Sequence, residues 1–439
     1  MKMKTPIYDF LKKYSDNKIS RLHMPGHKGT GFLGCEKMDI TEVFGADSLY
    51  EADGIIKESE KNASEIFETG DTFYSTEGSS LCIRAMLYAA LLNTDKKPVI
   101  AAIRNVHKSF IYACAALDID VSWIYPKNSD SLCGGTVTAQ EAEEIIKKEN
   151  PFALYLTSPN YLGEMTDIKT ISEVCKKYNI PLLVDNAHGA YLKFVGKHPI
   201  ELGAAMCCDS AHKTLNVLTG GAYLHISKEY KNTYSPLIKN AMSFFGSTSP
   251  SYLILASLDL CNKYLSDEYK EKLNCCISKV KEVKQFITEK GFALVGDEPL
   301  KITVKTNGEE AAKKLRELGG ECEYCDGQFI VFMLSPENSD RDFELIKTLF
   351  KNHEKYKINN PPVLEKGQKV LSIREATLSS QEIIETKNAV GRICASPTVS
   401  CPPAVPIAVS GEIITEDMVK IFEFHNIKTV SCVKFDKKS

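Results

Sequence analysis

Apolar and polar positions recur along this chain in two periods. Near the start, Ile7, Phe10, Leu11 and Tyr14 fall on one helical face, which predicts a short amphipathic helix within residues 1–20. From residue 58 the pattern becomes regular. A helix is expected over 58–67, and a second one carries Ile83, Met86, Leu87, Ala90 and Leu91 as a single stripe. Short apolar runs predict strands at 98–103, 121–125, 152–157, 181–185 and 221–226, with another through Cys207 and Cys208. Helical patterns at 139–149 and 168–178 lie between them. Strands alternating with helices predict an α/β fold with a mostly parallel central sheet covered on both faces.

Two long helical patterns follow, reaching residue 290; the second, 270–290, is densely charged and is expected to bridge two domains. Strands at 300–305 and 328–334, with helices at 309–318 and 340–350, predict a smaller α/β region at the carboxyl end. The expected organisation is an amino-terminal arm (1–57), a large domain (58–290) and a small carboxyl-terminal α/β region (291–439).

Composition narrows the class. A hydrophobic fraction of 43% and a charged fraction of 25% over 439 residues suit a soluble globular chain. A formal charge of -3 gives no basic field for nucleic acid or an anionic membrane, so neither partner is expected. No run approaches the ~18 apolar residues of a membrane span. The basic start is not followed by an apolar signal core, so a cytoplasmic location is expected. Fifteen scattered cysteines then read as reduced thiols. Cys322 and Cys325 form a close pair, but no second pair stands at zinc spacing, and no metal is expected.

The candidate chemistry centres on Cys208-Asp209-Ser210-Ala211-His212-Lys213-Thr214. Upstream, the apolar run Leu182-Leu183-Val184 ends in Asp185. A lysine amine that can form a Schiff base, and a carboxylate that can pair with a pyridinium nitrogen, are what a pyridoxal-phosphate (PLP) enzyme needs. Gly78-Ser79-Ser80 opens a predicted helix, which makes either an anion site or a plain helix cap. His107, Ser158, Asp185, His188, Ser210, His212 and Lys213 all fall at or just past carboxyl ends of predicted strands, where α/β sheets bind ligands. His23 and His27 flank a Pro-Gly turn that is either a basic surface turn or a loop reaching a site.

With these motifs in place, the chain resembles the bacterial ornithine/lysine/arginine decarboxylases of the aspartate-aminotransferase PLP fold. The stretches RLHMPGHK, RNVHKSF, LTSPNYLG, VDNAHG, DSAHKT, STSPSY, REATL and CPPAVP carry the likeness, in the family's order and over nearly the whole chain. It is similar to a short form without the amino-terminal wing domain. The resemblance implies that Lys213 is the Schiff-base lysine and that Asp185 pairs with the ring nitrogen. Ala187 would lie under the ring, His107 would stack on its other face, and His188 would contact the ring hydroxyl or substrate. Gly78, Ser79, Ser80, Ser210 and His212 would hold the phosphate. Ser247 and Thr248 would complete that cradle from a partner subunit, which implies a homodimer or higher assembly.

The implied reaction is loss of carbon dioxide from lysine, arginine or ornithine, leaving the amine. His23, His27 and Arg374 would orient the substrate; the alternative for Arg374 is a structural pairing with Glu375 or Glu382. Two positions depart from the family's pattern: Glu77, an acid before the phosphate-loop glycine, and Cys401, where an aromatic is common. An acid there opposes a dianion unless it points away or is paired. An aminotransferase and a silent PLP-binding paralogue remain alternatives. Asp47, Glu77 and Glu375 are the candidate acids for the substrate's basic head group.

Overall fold

The computed structural model describes residues 3–126, 131–351, 358, 360–397 and 404–434. Cys401, with the proline pair after it, lies outside the described residues. In chain order the first strands are β1 (Asp71–Ser75), β2 (Val99–Ile103), β3 (Asp120–Ile124), β4 (Leu154–Thr157), β5 (Leu182–Asp185), β6 (Met206–Asp209) and β7 (Ala222–Ile226). The helices needed below are α1 (Pro6–Asp16), α2 (Ile55–Phe67), α3 (Gly78–Leu92) and α4 (Lys108–Leu117). The chain forms two compact units, one from Met1–Asp95 and Pro181–Lys272, the other from Lys96–Ile180 and Leu273–Ser439. Residues 1–57 thus fall wholly in the first unit and 291–439 wholly in the second. The stretch 58–290 is shared between them.

In the first unit the strands run in the order β1-β7-β6-β5. β5 and β6 are parallel, with Val184 opposite Cys207 and Asp185 opposite Cys208. β7 is antiparallel to both β6 and β1. Every residue of β5, β6 and β7 is buried, which is why these strands show as apolar runs interrupted only by Asp185, Asp209 and His225. Parallel strands place Asp185 and the turn after Asp209 at the same edge.

The helices of this unit are anchored by side chains from distant sequence. α1 buries Ile7 and Leu11, and Thr5 provides no side-chain cap. Asp259, on the helix Tyr252–Asp267, accepts the Ile7 and Tyr8 N–H groups at 2.9 and 3.0 Å instead. The start of α2 is held by Asp47. One of its oxygens accepts the N–H groups of Gly54 and Ile56 at 2.9 Å and of Lys57 at 3.4 Å. The other accepts those of Ser48 at 2.9 Å and Asp53 at 3.1 Å. A further helix, Lys231–Phe245, was not among the expected elements and carries Pro236 inside. Its end packs on α3, with Tyr88 5.2 Å from Phe244 and 6.1 Å from Phe245 between ring centres.

In the second unit β4, β2 and β3 are parallel neighbours. β8 (Ala293–Val295), β9 (Lys301–Lys305), β10 (Tyr324–Cys325) and β11 (Phe329–Met333) make an antiparallel sheet in the order β10-β11-β9-β8. Helices Gly308–Glu317 and Asp340–Lys351 accompany it, as expected for a smaller α/β region. The α/β class with a largely parallel central sheet is therefore what the chain adopts. The charged helix Tyr269–Glu289 starts in the first unit and continues in the second. The described cysteines are all free thiols; Cys35 and Cys275 are exposed and the others are buried or half-buried. Among the described residues, no helix is long and apolar enough to cross a membrane.

Candidate active site

Lys213 lies on the short helical turn Ala211–Thr214 that follows β6, with an exposed side chain. Its Nζ is 3.0 Å from Nε2 of His188, which lies three residues past the end of β5. Asp185, the last residue of β5, is buried. Its Oδ1 accepts the Ala187 N–H at 3.1 Å and faces the Cys208 thiol, a donor, at 3.6 Å. Burial pushes that thiol well above its usual range, so it keeps its proton. An accessible amine and a buried carboxylate thus stand on adjacent parallel strand ends.

The expected anion cradle assembles in the same unit. Gly78 opens the 15-residue helix α3 with φ +67°, a conformation that favours glycine. The Ser210 hydroxyl donates to Ser79 Oγ at 2.9 Å, so one hydroxyl from each turn points to one place. His212 donates Nδ1–H to the Gly221 carbonyl at 3.0 Å, and burial lowers its pKa, leaving a neutral ring. Ser80 follows in the first turn of α3, half-buried. A helix start with its positive dipole end and two hydroxyls suits a phosphate.

The acid before this cradle is engaged elsewhere. Glu77 Oε1 accepts the Ser247 N–H at 2.6 Å. The carboxylate is turned onto the loop after Phe245, which resolves the expected conflict with an anion by pairing. The contact uses only the Ser247 backbone N–H; Ser247 and Thr248 are both exposed beside it.

The other expected site residues are placed as follows. His107 lies in the second unit and caps α4, its Nδ1 accepting the Ser109 N–H at 3.1 Å. In the first unit, His23 Nε2 meets the Tyr14 hydroxyl at 2.7 Å, and His27 meets Asp39 at 3.1 Å. Arg374 donates to the carbonyls of Ala115 and Ala116, at 3.1 and 3.0 Å, at the carboxyl end of α4. It is paired with neither Glu375 nor Glu382. Glu375 forms a capping box with Ser372, and Glu382 pairs with Arg392. The three head-group acids are therefore all committed to backbone N–H groups: Asp47 at α2, Glu77 at Ser247 and Glu375 at Ser372.

Residues that the sequence reading passed over also meet here. Asp209 accepts the Asn186 side-chain amide at 2.7 Å on Oδ1, and faces His198 at 3.0 Å and His225 at 3.2 Å on Oδ2. Single histidines far apart in the sequence carry no spacing signal; only the adjacency of Asp209 to Ser210 hinted at this cluster.

Residues 5–369 match the family described as Orn/Lys/Arg decarboxylase, major domain. The arginine decarboxylase of Bacillus subtilis strain 168 is 29% identical over 470 residues, covering 96% of this chain and 94% of its own. The lysine decarboxylase of Francisella novicida superposes with a TM-score of 0.79 at 18% identity, covering 98% of this chain and 81% of its own. An alanine–glyoxylate aminotransferase from Nostoc sp. shares the fold more distantly, with a TM-score of 0.54 at 14% identity over 67% of this chain and 85% of its own. The parallel strand ends, the lysine turn and the family match together place this chain in the Orn/Lys/Arg decarboxylase family.

Proposed function

We propose that this chain is a PLP-dependent decarboxylase that converts lysine, arginine or ornithine to the corresponding amine and carbon dioxide. The observation that carries this is the gathering of Lys213, Asp185 and the Gly78–Ser79–Ser210 cradle in one compact unit. The donor set fits the cofactor: a primary amine for an aldehyde, a buried carboxylate for a pyridine nitrogen, and a helix start with hydroxyls for a phosphate. Bound there, PLP supplies an electron sink for the pair left behind when the α-carboxylate departs.

The chain's own groups do the rest. Asp185 holds the proton on the ring nitrogen, and the Ala187 N–H and Cys208 thiol fix its Oδ1. Lys213 Nζ carries the cofactor at rest and returns a proton to the α-carbon, with His188 Nε2 at 3.0 Å as its exchange partner. Ser79, Ser80, Ser210 and His212 hold the phosphate, and Ala187 is the residue for one ring face. Of the two cationic segments, the loop of His23 and His27 belongs to the same compact unit as Lys213 and is the one for orienting substrate, while Arg374 holds the end of α4.

The family match supports decarboxylation over transamination. A cytoplasmic location fits the free thiols throughout the described chain. A homodimer fits the arm: Leu22, Phe32, Leu33 and Phe44 expose large apolar side chains that a second copy would cover. The test is twofold. Borohydride reduction and peptide mapping are expected to find the adduct on Lys213, and lysine, arginine and ornithine are assayed for carbon dioxide and amine. No carbon dioxide from any of the three, or conversion of the cofactor to its pyridoxamine form, rejects the decarboxylase reading. Light scattering reads the assembly, and a fully active monomer rejects the dimer.

A further inference from the structure

The backbone ladder between β5 and β6 ends at the Asn186 N–H, which donates to the Cys208 carbonyl at 3.0 Å. Beyond it the two chains turn away, one directly after Asp185 and carrying His188, the other carrying Ser210 and Lys213. The bond from the Asn186 amide to Asp209 spans those turns at 2.7 Å. The opposite oxygen of Asn186 is buried without a partner. A buried amide held by its nitrogen alone, with its oxygen unsatisfied, marks a group kept for where it holds the chain.

Asp209 is itself fixed from behind. The Ile200 N–H points at His198 Nδ1 at 3.4 Å. A backbone N–H can only donate, so the ring proton of His198 is on Nε2 and goes to Asp209. His225, across from Thr72 on β1 and Cys207 on β6, meets the Thr72 hydroxyl at 2.8 Å with Nδ1 and turns Nε2 to Asp209. Burial keeps His225 neutral, and although burial also opposes charge on Asp209, the facing imidazoles hold its carboxyl well below the usual range. All three side chains are fully buried. His198, Cys207 and Asp209 offer ligand atoms within 4.8 Å of one another, but nitrogen–oxygen separations of 3.0 and 3.2 Å are those of hydrogen bonds.

We propose that Asp209, oriented by His198 and His225, is a positioning residue that acts through Asn186 to lock the Asp185 turn onto the Lys213 turn. It touches neither substrate nor cofactor; it sets the spacing between the ring-nitrogen carboxylate and the amine. The consequence for catalysis rests on the PLP reading above, while the lock itself is present without cofactor.

The test uses three variants of the full chain. Asn186→Ala removes the strut and leaves Asp209 with its imidazoles. Asp209→Asn keeps a strut, because the Asn186 amide can flip and accept from the new side chain while its own unpaired oxygen gains a partner. Asp209→Ala removes strut and anchor together. In cofactor-free protein, nitrogen NMR of the histidine rings is expected to show His198 and His225 as Nε2–H tautomers, retained in Asn186→Ala. The His188 signal is expected to shift in Asn186→Ala, because its contact with Lys213 spans the two turns, and to stay near wild type in Asp209→Asn.

In loaded protein Asn186→Ala is expected to lose roughly tenfold to a hundredfold in kcat/KM, mostly in kcat, as misplaced reacting groups do. Asp209→Asn should recover most of that loss. If wild type takes up no PLP but His188 shifts as stated, the cofactor reading fails and the lock stands. An unmoved His188 signal in Asn186→Ala, or stoichiometric bound metal with loss of both Nε2–H signals, overturns the proposal. So does an Asp209→Asn variant as impaired as Asp209→Ala, the melting curve of Asn186→Ala serving as the folding control.

Discussion

Removing the Asp47 carboxylate separates a structural acid from a substrate-recognising one. The side chain accepts five backbone N–H groups, two of them, from Ile56 and Lys57, in the first turn of α2. Those donors have no partner within the helix, and the positive end of the dipole adds to their pull on a carboxylate. The backbone N–H bonds are what lower the Asp47 pKa, against the opposing effect of burial, which is the largest single influence. Loss of a helix cap costs about 1 kcal/mol, and hydrogen bonds to a charged group about 1.5–3 kcal/mol each. Water re-solvates much of this half-exposed site, so we expect a net loss of about 2–3 kcal/mol in Asp47→Ala. That is a fall of roughly 4–12 °C in Tm for a unit of this size.

Asp47 also sits at φ +69°, where alanine is strained and glycine is not. Asp47→Gly should therefore melt above Asp47→Ala by about 0.5–1 kcal/mol, and Asp47→Asn, which keeps an acceptor and tolerates that conformation, should stay nearest wild type. Because the folded pKa is depressed, this stabilisation is present above the unfolded pKa and is lost as pH falls through the folded one. The wild-type and Asp47→Ala melting curves should converge in acid. The assay is thermal melting across pH, with KM for each basic amino acid measured alongside. An Asp47→Ala variant that melts with wild type but shows a raised KM for one amino acid would refute the capping account and restore Asp47 as a head-group acid.

Asp185→Asn should retain cofactor weakly and lose roughly 10²–10⁴ in kcat; near-normal turnover would remove Asp185 from the reaction. Arg374→Ala uncovers two carbonyls at the end of α4, so it should lower stability by about 1 kcal/mol with KM nearly unchanged, and a raised KM at wild-type Tm would contradict this. Burial pushes Asp259 from 3.8 up to about 6. A raised acid binds more protons folded than unfolded, so its contribution to stability declines as pH rises from about 4 to about 6 and is level above. Asp259→Asn, which can still accept from Ile7 and Tyr8, should flatten that part of the pH–stability curve, and an unchanged curve would show that Asp259 ionises normally.

The strands of the site were legible because they are buried on both faces, so that Leu182–Val184 and Met206–Cys208 stand out as unbroken apolar runs. The lysine turn and Asp185 followed from position, since parallel strands bring their carboxyl ends to one edge. The direction of β7 was not legible, because an antiparallel strand buried on both faces has the same composition as a parallel one. The helix Lys231–Phe245 was missed because Pro236 interrupts its signal, although packing against α3 outweighs the lost bond. Glu375 could have been recognised: Ser372 three residues before it is the signature of a capping box. Asp47 could not, since its donors arrive through a loop whose path no periodicity encodes. Nor could the Asp209 cluster, which exists only because β1, β6 and β7 are neighbours.

The thiol distribution makes the wild-type chain its own reporter. Burial pushes Cys114, Cys207 and Cys208 well above the usual range, so they resist alkylation while the fold is intact. Cys35 and Cys275 are exposed, one in each compact unit. Among the described thiols, a maleimide spin label or dye applied to native protein should therefore mark Cys35 first in one unit, and in the other Cys275 together with the half-buried Cys322–Cys325 pair, where the Cys322 thiol lowers the Cys325 pKa. Peptide mapping of the labelled thiols, before and after loading and again with an amino acid added, would report any change in their exposure without an engineered cysteine.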